Sequence, residues 1–181
     1  MKPYKILIFR VSSLGDFIHA TPAIKLIRKN NPGAKIYFSS QKKKSVGFVT
    51  PDLLPFQKQI IDEFIFYNNN YLSFLFFFFK IFKKKFDKLY YLNEFSTKSR
   101  EKRDYLFFKT CGIKEMYGFN LKGKSSEAER YNYNKFNETY YLCRTVDKNI
   151  KNNQIFFSDI FKKNKYINKK YWQFKKLVMF L

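Results

Sequence analysis

The segment Ser12-Ser13-Leu14-Gly15-Asp16 brings two hydroxyls, a glycine and a carboxylate within five residues of one another. Backbone N–H groups and hydroxyls in a turn that opens a helix can hold an anion, and a glycine lets the backbone approach a ligand closely. A carboxylate at the mouth of a cleft, such as Asp16, can take a proton from a substrate hydroxyl and make its oxygen a nucleophile. A plainer interpretation stays open here: Asp16 caps the helix and Gly15 only makes the turn.

The other candidate binding residues are cations or potential cations. His19, the only histidine, follows Asp16 by about one helical turn and either contacts a substrate or serves the structure. The run Lys42-Lys43-Lys44 follows a predicted strand and either meets phosphates and carboxylates or is a solvated run of charge. Lys98 opens a basic stretch that ends at Arg103, where cations in the first turns oppose the helix dipole, which favours a binding role.

Strands and helices are predicted to alternate around these residues. We predict strands over residues 5–10, 34–39, 60–67, 86–92 and 114–119, and helices over 71–85, from Ser96 to about Cys111, and over 126–146. The first helix is expected to begin with Thr21 as N-cap and Pro22 in its first position, with room for a helical turn over 16–20 before it. Asn31-Pro32-Gly33 ends it.

Such alternation predicts an α/β fold, a Rossmann-like parallel sheet with helices on both faces. In sheets of this kind, ligands bind at the carboxyl ends of the strands, where the Ser12–Asp16 loop would lie. Neither a GxGxxG dinucleotide fingerprint nor a GxxxxGK[ST] phosphate loop occurs in the sequence. We expect one domain over residues 1–148 and a weakly patterned segment over 149–181.

The charge of the chain is strongly positive, with a formal net charge of +22. This excess indicates an anionic partner, although a bias toward A and T in the gene would also enrich Lys, Asn, Phe and Tyr together. Residues 71–82 (YLSFLFFFFKIF) are too short and too interrupted to span a bilayer, and predict a core helix or one lying near a membrane surface. Two cysteines and no signal peptide favour a reduced, cytoplasmic setting.

Residues 5–38 (KILIFRVSSLGDFIHATPAIKLIRKNNPGAKIYF) closely resemble the opening of the family 9 glycosyltransferases, the ADP-heptose:lipopolysaccharide heptosyltransferases. The family pattern there is an apolar strand, then R-x-S-S-x-G-D, a proline in the helix, and P-x-A-x-I entering the second strand. The matching positions are Arg10, Ser12, Ser13, Gly15, Asp16, Pro22, Pro32, Ala34 and Ile36. The resemblance continues more loosely to about residue 145.

The resemblance implies the acceptor-side, N-terminal domain of a GT-B enzyme, with Asp16 as catalytic base and Ser12, Ser13 and Gly15 shaping its loop. Attack on the sugar would be direct and inverting, without a metal or cofactor. The expected co-substrate is a nucleotide sugar, ADP-heptose, and the expected acceptor is a Kdo-lipid A-type lipopolysaccharide core. The expected location is the anionic cytoplasmic face of the inner membrane.

The donor-binding half of the family has no counterpart in the sequence, so we expect the chain to be truncated, frameshifted or completed by a partner, and to be inactive alone. The other hypothesis is a non-catalytic basic domain that binds an anionic glycan or nucleic acid. No RNP, KH, helix-turn-helix or zinc pattern occurs, which argues against a specific nucleic-acid partner.

Overall fold

The computed structural model describes residues 4–11, 14–41, 60–68, 70–93, 97–119 and 135–149. Strands and helices alternate along this part of the chain, as predicted, except on either side of residues 42–59, which are not described, where two strands follow each other. In chain order they are β1 (Lys5–Phe9), α1 (Leu14–Asn30), β2 (Lys35–Gln41), β3 (Glu63–Tyr67), α2 (Tyr71–Lys84), β4 (Lys88–Tyr91), α3 (Lys98–Thr110), β5 (Glu115–Tyr117) and α4 (Lys135–Val146).

The five strands form one parallel sheet in the order β3-β2-β1-β4-β5. The chain builds outward from β1 through β2 to β3, and then returns to the other side of β1 for β4 and β5. At the carboxyl end of β1, Phe9 lies opposite Ser39 of β2 and Tyr91 of β4. The predicted Rossmann-like parallel sheet is therefore confirmed.

Helices cover both faces of the sheet because the strands are apolar on both faces. Leu7 and Phe9 belong to a cluster that includes Phe77 of α2 and Phe108 of α3. On the opposite face Phe38 of β2 packs edge-on against Phe17 of α1, with 5.1 Å between the ring centroids. Side chains alternate between the two faces of a strand, so this continuous burial is what a sheet covered on both sides requires.

The start of α1 differs from the prediction. The helix runs unbroken from Leu14, and Pro22 lies inside it. Thr21 does not act as an N-cap, since its hydroxyl donates to the carbonyl of Phe17 one turn earlier, at 3.0 Å. The apolar side of α1, including Phe17 and Ile24, is fully buried, and this burial outweighs the cost of about 3 kcal/mol for a proline in a helix interior.

Several other boundaries also shift. Thr97, rather than Ser96, caps α3, because its hydroxyl accepts a hydrogen bond from the backbone N–H of Arg100. Strand β3 begins at Glu63, three residues later than predicted. Of the helix predicted over 126–146, the described part is α4, and residues 126–134 lie outside the described residues. The separate segment expected over 149–181 falls outside them as well, apart from Asn149.

Within the described residues no helix is both long and apolar enough to cross a membrane. Both cysteines, Cys111 and Cys143, are buried.

Candidate functional site

The order in which strands are added to the sheet reverses between β1 and β4, and this reversal defines the candidate site. In open α/β sheets, neighbouring loops leave in opposite directions at such a point and a crevice opens beyond the carboxyl ends of the strands. Here Arg10 and Val11 follow β1, while Leu92 and Asn93 follow β4. The edge of the candidate site is therefore formed by two pairs of adjacent residues, and the two pairs are far apart in the sequence.

Arg10 ties the ends of the two strands together. Its side chain is buried, at 3% exposure, and its guanidinium donates to the backbone carbonyl of Leu92. Its backbone N–H donates to the carbonyl of Ser39 on β2, at 3.0 Å. Leu92 also donates its backbone N–H to the carbonyl of Phe9, at 2.9 Å, so a backbone and a side-chain hydrogen bond hold the ends of β1 and β4 together.

Asn93 holds the chain where it leaves β1. Its side-chain oxygen accepts a hydrogen bond from the backbone N–H of Val11, at 2.7 Å. Val11 directly precedes Ser12 and Ser13, which lie outside the described residues. Sequence reasoning did not include Asn93 among the site residues, although an Asn directly after a buried strand at the carboxyl edge of a sheet was a usable signal.

Asp16 and Gly15 lie in the first turn of α1, not in a loop before it. Asp16 is partly exposed. A negative side chain in the first turn of a helix interacts favourably with the helix dipole. Since α1 follows β1, the predicted base lies at the carboxyl edge of the sheet beside the reversal of strand order.

His19 lies one turn further along α1 and contacts another helix. Its Nδ1 atom is 3.4 Å from the hydroxyl of Thr139 on α4, and Thr139 is buried. This contact joins α1 to α4 and supports the structural interpretation of His19. The contact of His19 with substrate, predicted from its spacing to Asp16, remains a prediction.

Two groups of predicted cations have different outcomes. Lys42, Lys43 and Lys44 lie outside the described residues, directly after Gln41, where β2 ends. Lys98 is the first residue of α3 and is exposed. Because α3 follows β4, Lys98 lies toward the same edge of the sheet as Asp16.

A row of aromatic rings lies behind the carboxyl edge, on the face covered by α2 and α3. The Phe9 ring is stacked 6.0 Å from the ring of Tyr67 and 5.8 Å from that of Tyr91. Tyr91 is itself stacked on Phe119, with centroids 4.2 Å apart. Ser39, on the strand between Phe9 and Tyr67, is small enough to leave room for these two rings to meet.

A buried carboxylate anchors this row. Asp104 of α3 is 6% exposed and accepts a hydrogen bond from the hydroxyl of Tyr91, at 2.9 Å. Arg103 donates to its other oxygen from Nε at 2.9 Å and from Nη2 at 2.7 Å. Burial and the negative charge of Asp104 raise the pKa of the Tyr67 hydroxyl, so this tyrosine stays protonated. The sequence offered no signal for this pairing beyond a charged residue on the inner side of a helix.

Two hydroxyls at the end of β2 are buried. The Oγ atoms of Ser39 and Ser40 have no hydrogen-bond partner within the described part of the chain. A buried hydroxyl that lacks a partner costs about 1–3 kcal/mol, so an ordered water is expected beside each of them. No three His, Cys, Asp or Glu side chains of the described ranges gather as a metal site.

Neither a family model nor a curated protein matches the sequence, but solved structures match the fold. A family 9 glycosyl transferase from Veillonella parvula is 16% identical, with a TM-score of 0.52 over 80% of this chain and 41% of that one. The E. coli heptosyltransferase WaaC, solved with ADP-2-deoxy-2-fluoro heptose, is 11% identical, with a TM-score of 0.48 over 90% of this chain and 56% of that one. The chain thus spans less than two thirds of the length of either protein, and the first likeness shows a shared α/β fold.

Proposed function

We propose that this chain is the acceptor-binding domain of a family 9-type glycosyltransferase with GT-B architecture. The observation that carries the proposal is the position of Asp16: the carboxylate of the R-x-S-S-x-G-D motif lies in the first turn of α1, at the carboxyl edge where the strand order reverses. Ligand sites of open α/β sheets occur at such edges. The fold shared with the Veillonella parvula protein gives independent support.

In the proposed reaction, Asp16 acts as the general base. Its carboxylate takes the proton of an acceptor hydroxyl, and the hydroxyl oxygen attacks the anomeric carbon of the donor sugar. The bond between that carbon and the diphosphate breaks, the nucleoside diphosphate leaves with the electron pair, and the configuration at the carbon inverts.

The hydrogen bonds around Arg10 and Asn93 have a positioning role in this proposal. They fix the end of β1 to the end of β4 through Leu92 and Val11. Val11 is therefore held in place shortly before α1 begins, so a bound acceptor would meet Asp16 in a defined geometry. Small displacements of a base from its substrate are costly in rate.

The proposed substrates are anionic, which suits the charge of the chain. We propose a Kdo-lipid A-type lipopolysaccharide core as acceptor and ADP-heptose as donor. Lys98 and the run Lys42-Lys43-Lys44 would contact acceptor phosphates or carboxylates. The donor half would be supplied from outside residues 4–149, by another polypeptide or by a longer form of the chain. By this proposal, residues 4–149 alone bind acceptor and do not transfer sugar.

Binding of Kdo-lipid A to the purified chain, measured by titration calorimetry, tests the acceptor assignment. We expect binding that Lys98→Gln weakens and that the isosteric Asp16→Asn retains, because the substitution removes a base without changing shape. A generic DNA duplex of matched charge, titrated at the same salt concentration, is the control. Equal affinity for the duplex and for the acceptor would favour the non-specific basic domain instead and overturn the proposal.

Transfer is tested separately. The chain mixed with ADP-heptose and acceptor should form no product alone, and should form product when a separately expressed donor-binding domain of a family 9 enzyme is added. Asp16→Asn should then lower the rate about 10²- to 10⁴-fold. Product formed by the chain alone, and abolished by Asp16→Ala, would keep the base but overturn the division into two halves.

A further inference from the structure

The outward side of α2 is apolar, although it faces solvent. Leu72 is 64% exposed, Phe76 is 73% exposed and Phe79 is 48% exposed. With Leu75, these residues have the i, i+3, i+4, i+7 spacing of one helix face. We call Leu72, Leu75, Phe76 and Phe79 the outer stripe of α2.

The outer stripe is additional to the core. The inner side of α2 is formed by Phe77 and Ile81, which are buried against the sheet. Phe74 and Phe78 extend this contact sideways to Phe107 of α3, with ring centroids 4.7 Å and 5.8 Å apart. The helix therefore already has the apolar side that packing on the sheet requires, and the outer stripe is a second one. Exposed apolar patches of this kind mark interaction sites.

The neighbouring helix α3 has no exposed apolar stripe like that of α2. Helix α3 covers the same face of the sheet, and its outward positions Lys102, Leu106 and Lys109 are all exposed. Two of these three residues are lysines and one is apolar, which is typical of a helix face that lies in solvent. A general bias toward Phe and Lys in the sequence would enrich both helices, whereas the outer stripe is confined to one.

Lysines border the stripe. Lys80 and Lys83 follow Phe76 and Phe79 by four residues and are exposed, as is Lys85 at the end of the helix. None of these three lysines pairs with a carboxylate in the described part of the chain. Helix α2 has three basic residues and no acidic one, and α3 has five basic residues and two acidic ones.

We propose that α2 is the surface by which this chain lies on an anionic lipid bilayer, with the outer stripe inserted below the headgroups and Lys80, Lys83 and Lys85 at the level of the lipid phosphates. Interfacial helices combine an apolar side with lysines in this way, and long lysine side chains reach from the apolar boundary to the headgroups. This proposal does not rest on the proposed sugar transfer.

Charge favours a bilayer over other occupants of the stripe. A second copy of the chain would bring another net charge of +22 to the same surface, whereas anionic lipids supply the opposite charge. Single-stranded RNA also binds exposed rings beside cations. The exposed aliphatic side chains of Leu72 and Leu75 offer no stacking surface to bases, but they partition well into a bilayer interface.

Co-sedimentation with vesicles tests the proposal. The chain should sediment with phosphatidylcholine vesicles that contain phosphatidylglycerol and far less with phosphatidylcholine alone. Phe76→Ser with Phe79→Ser should lower the partition coefficient by about 10- to 100-fold, since two exposed rings no longer enter the interface. The matched control is Phe66→Ser: Phe66 is 41% exposed and stacks on Phe64, on the α1 side of the sheet. This control should bind as the unsubstituted chain does.

The lysines are tested by Lys80→Glu with Lys83→Glu. Each cation near an anionic surface contributes about 1 kcal/mol, so the pair should lower binding by about 25-fold or more at low salt. High salt should weaken this contribution and leave the contribution of the outer stripe. Circular dichroism of each variant is the control: an unchanged spectrum shows that the variant is folded and that its loss of vesicle binding has another cause.

A fluorescence measurement gives the depth of insertion directly. Because Cys111 and Cys143 are buried, a cysteine introduced as Phe76→Cys can be labelled with an environment-sensitive dye. Its emission should shift to the blue on addition of anionic vesicles, and a label at Phe66→Cys should not shift. No vesicle binding by the unsubstituted chain, or equal losses for the Phe66 and the Phe76 with Phe79 variants, would overturn the proposal. So would dimers that the stripe variant converts to monomers, or binding of single-stranded RNA that vesicles do not displace.

Discussion

The side-chain oxygen of Asn93 accepts a hydrogen bond from the backbone N–H of Val11, at 2.7 Å, between residues 82 positions apart in the chain. This contact joins the first residues beyond β1 and β4, where the strand order of the sheet reverses. It therefore fixes the position of Val11, three residues before α1 begins. Together with the Arg10 contact to Leu92, it makes the geometry of the candidate site depend on the pairing of two strands.

Replacing Asn93 tests this dependence. Asn93→Ala removes the acceptor, and we expect the free energy of unfolding to fall by about 0.5–1.5 kcal/mol, with weaker acceptor binding because the loop start is no longer held. Asn93→Asp keeps a side-chain oxygen that can accept the hydrogen bond, so it should lower the free energy of unfolding and the acceptor affinity less than Asn93→Ala does. Urea denaturation and titration calorimetry give the two quantities, and equal losses for the two variants would show that the hydrogen bond to Val11 is not the cause.

Gly118 is predicted to tolerate no side chain. It has φ = +92°, and a Cβ atom there would lie 2.1 Å from the backbone oxygen of Tyr91. Gly118→Ala should therefore cost several kcal/mol or prevent folding. Gly112 also has a positive φ, of +84°, but no atom within 4 Å of such a Cβ, so Gly112→Ala should cost only about 1–2 kcal/mol. Gly33 has neither feature and should accept alanine without loss.

Thermal unfolding of the three alanine variants provides the measurement. The expected order of loss is Gly118, then Gly112, then Gly33. If Gly112→Ala and Gly118→Ala were equally destabilising, strain of the backbone alone would account for both, and the close approach of Gly118 to Tyr91 would carry no weight.

Local patterns were sufficient for the fold because the strands are short apolar runs separated by turn signals. The run of Lys5–Phe9 predicts a buried strand by composition alone, and Asn31 with the Pro-Gly pair ends α1 where expected. At Thr21 and Pro22 the same local reasoning failed, since burial of α1 against the sheet overrides a strong start signal.

The side-chain contacts of the candidate site were harder to predict from the sequence than its helices and strands. Asn93 and Val11, like Arg10 and Leu92, meet only once the register of β1 against β4 is known. The same holds for Asp104, whose partner Tyr91 lies on a strand rather than on its own helix. Motif spacing places Asp16, but only tertiary pairing identifies the residues that support its loop.

The hydrogen bond between Tyr91 and Asp104 should be worth measurable stability. Tyr91→Phe removes a donor from a buried carboxylate, and we expect a loss of about 1–3 kcal/mol in the free energy of unfolding. The matched control is Tyr90→Phe on the same strand, whose hydroxyl makes no hydrogen bond with any described residue and should cost less. Denaturation in urea measures both variants.

A double-mutant cycle separates this bond from packing. If Asp104→Ala is combined with Tyr91→Phe, the two losses should not add, because both substitutions remove the hydrogen bond between these side chains. Additive losses would show that the hydroxyl and the carboxylate contribute independently and that their 2.9 Å contact adds nothing of its own.

Stability should fall in alkaline solution because of Cys111. Burial raises the pKa of this thiol from 9.0 to about 12, so in the folded chain it stays protonated at a pH at which the unfolded chain loses the proton. The stabilising contribution is complete below pH 9 and is lost as the pH rises toward 12. Between these values the free energy of unfolding should fall by at most about 1.4 kcal/mol per pH unit from this thiol. Burial raises the pKa of Tyr67 as well, which acts in the same direction at higher pH.

Urea denaturation from about pH 8 to about pH 11 measures this slope. Cys111→Ala should be less stable at neutral pH, because it leaves a small cavity, but should show a shallower decline above pH 9. Alkylation gives a second measurement: the folded chain should resist iodoacetamide at Cys111 until it unfolds, since the thiolate is the reactive form. If the free energy of unfolding falls equally with pH in the unsubstituted chain and in Cys111→Ala, the loss of stability comes from other groups, and Tyr67 is the first candidate.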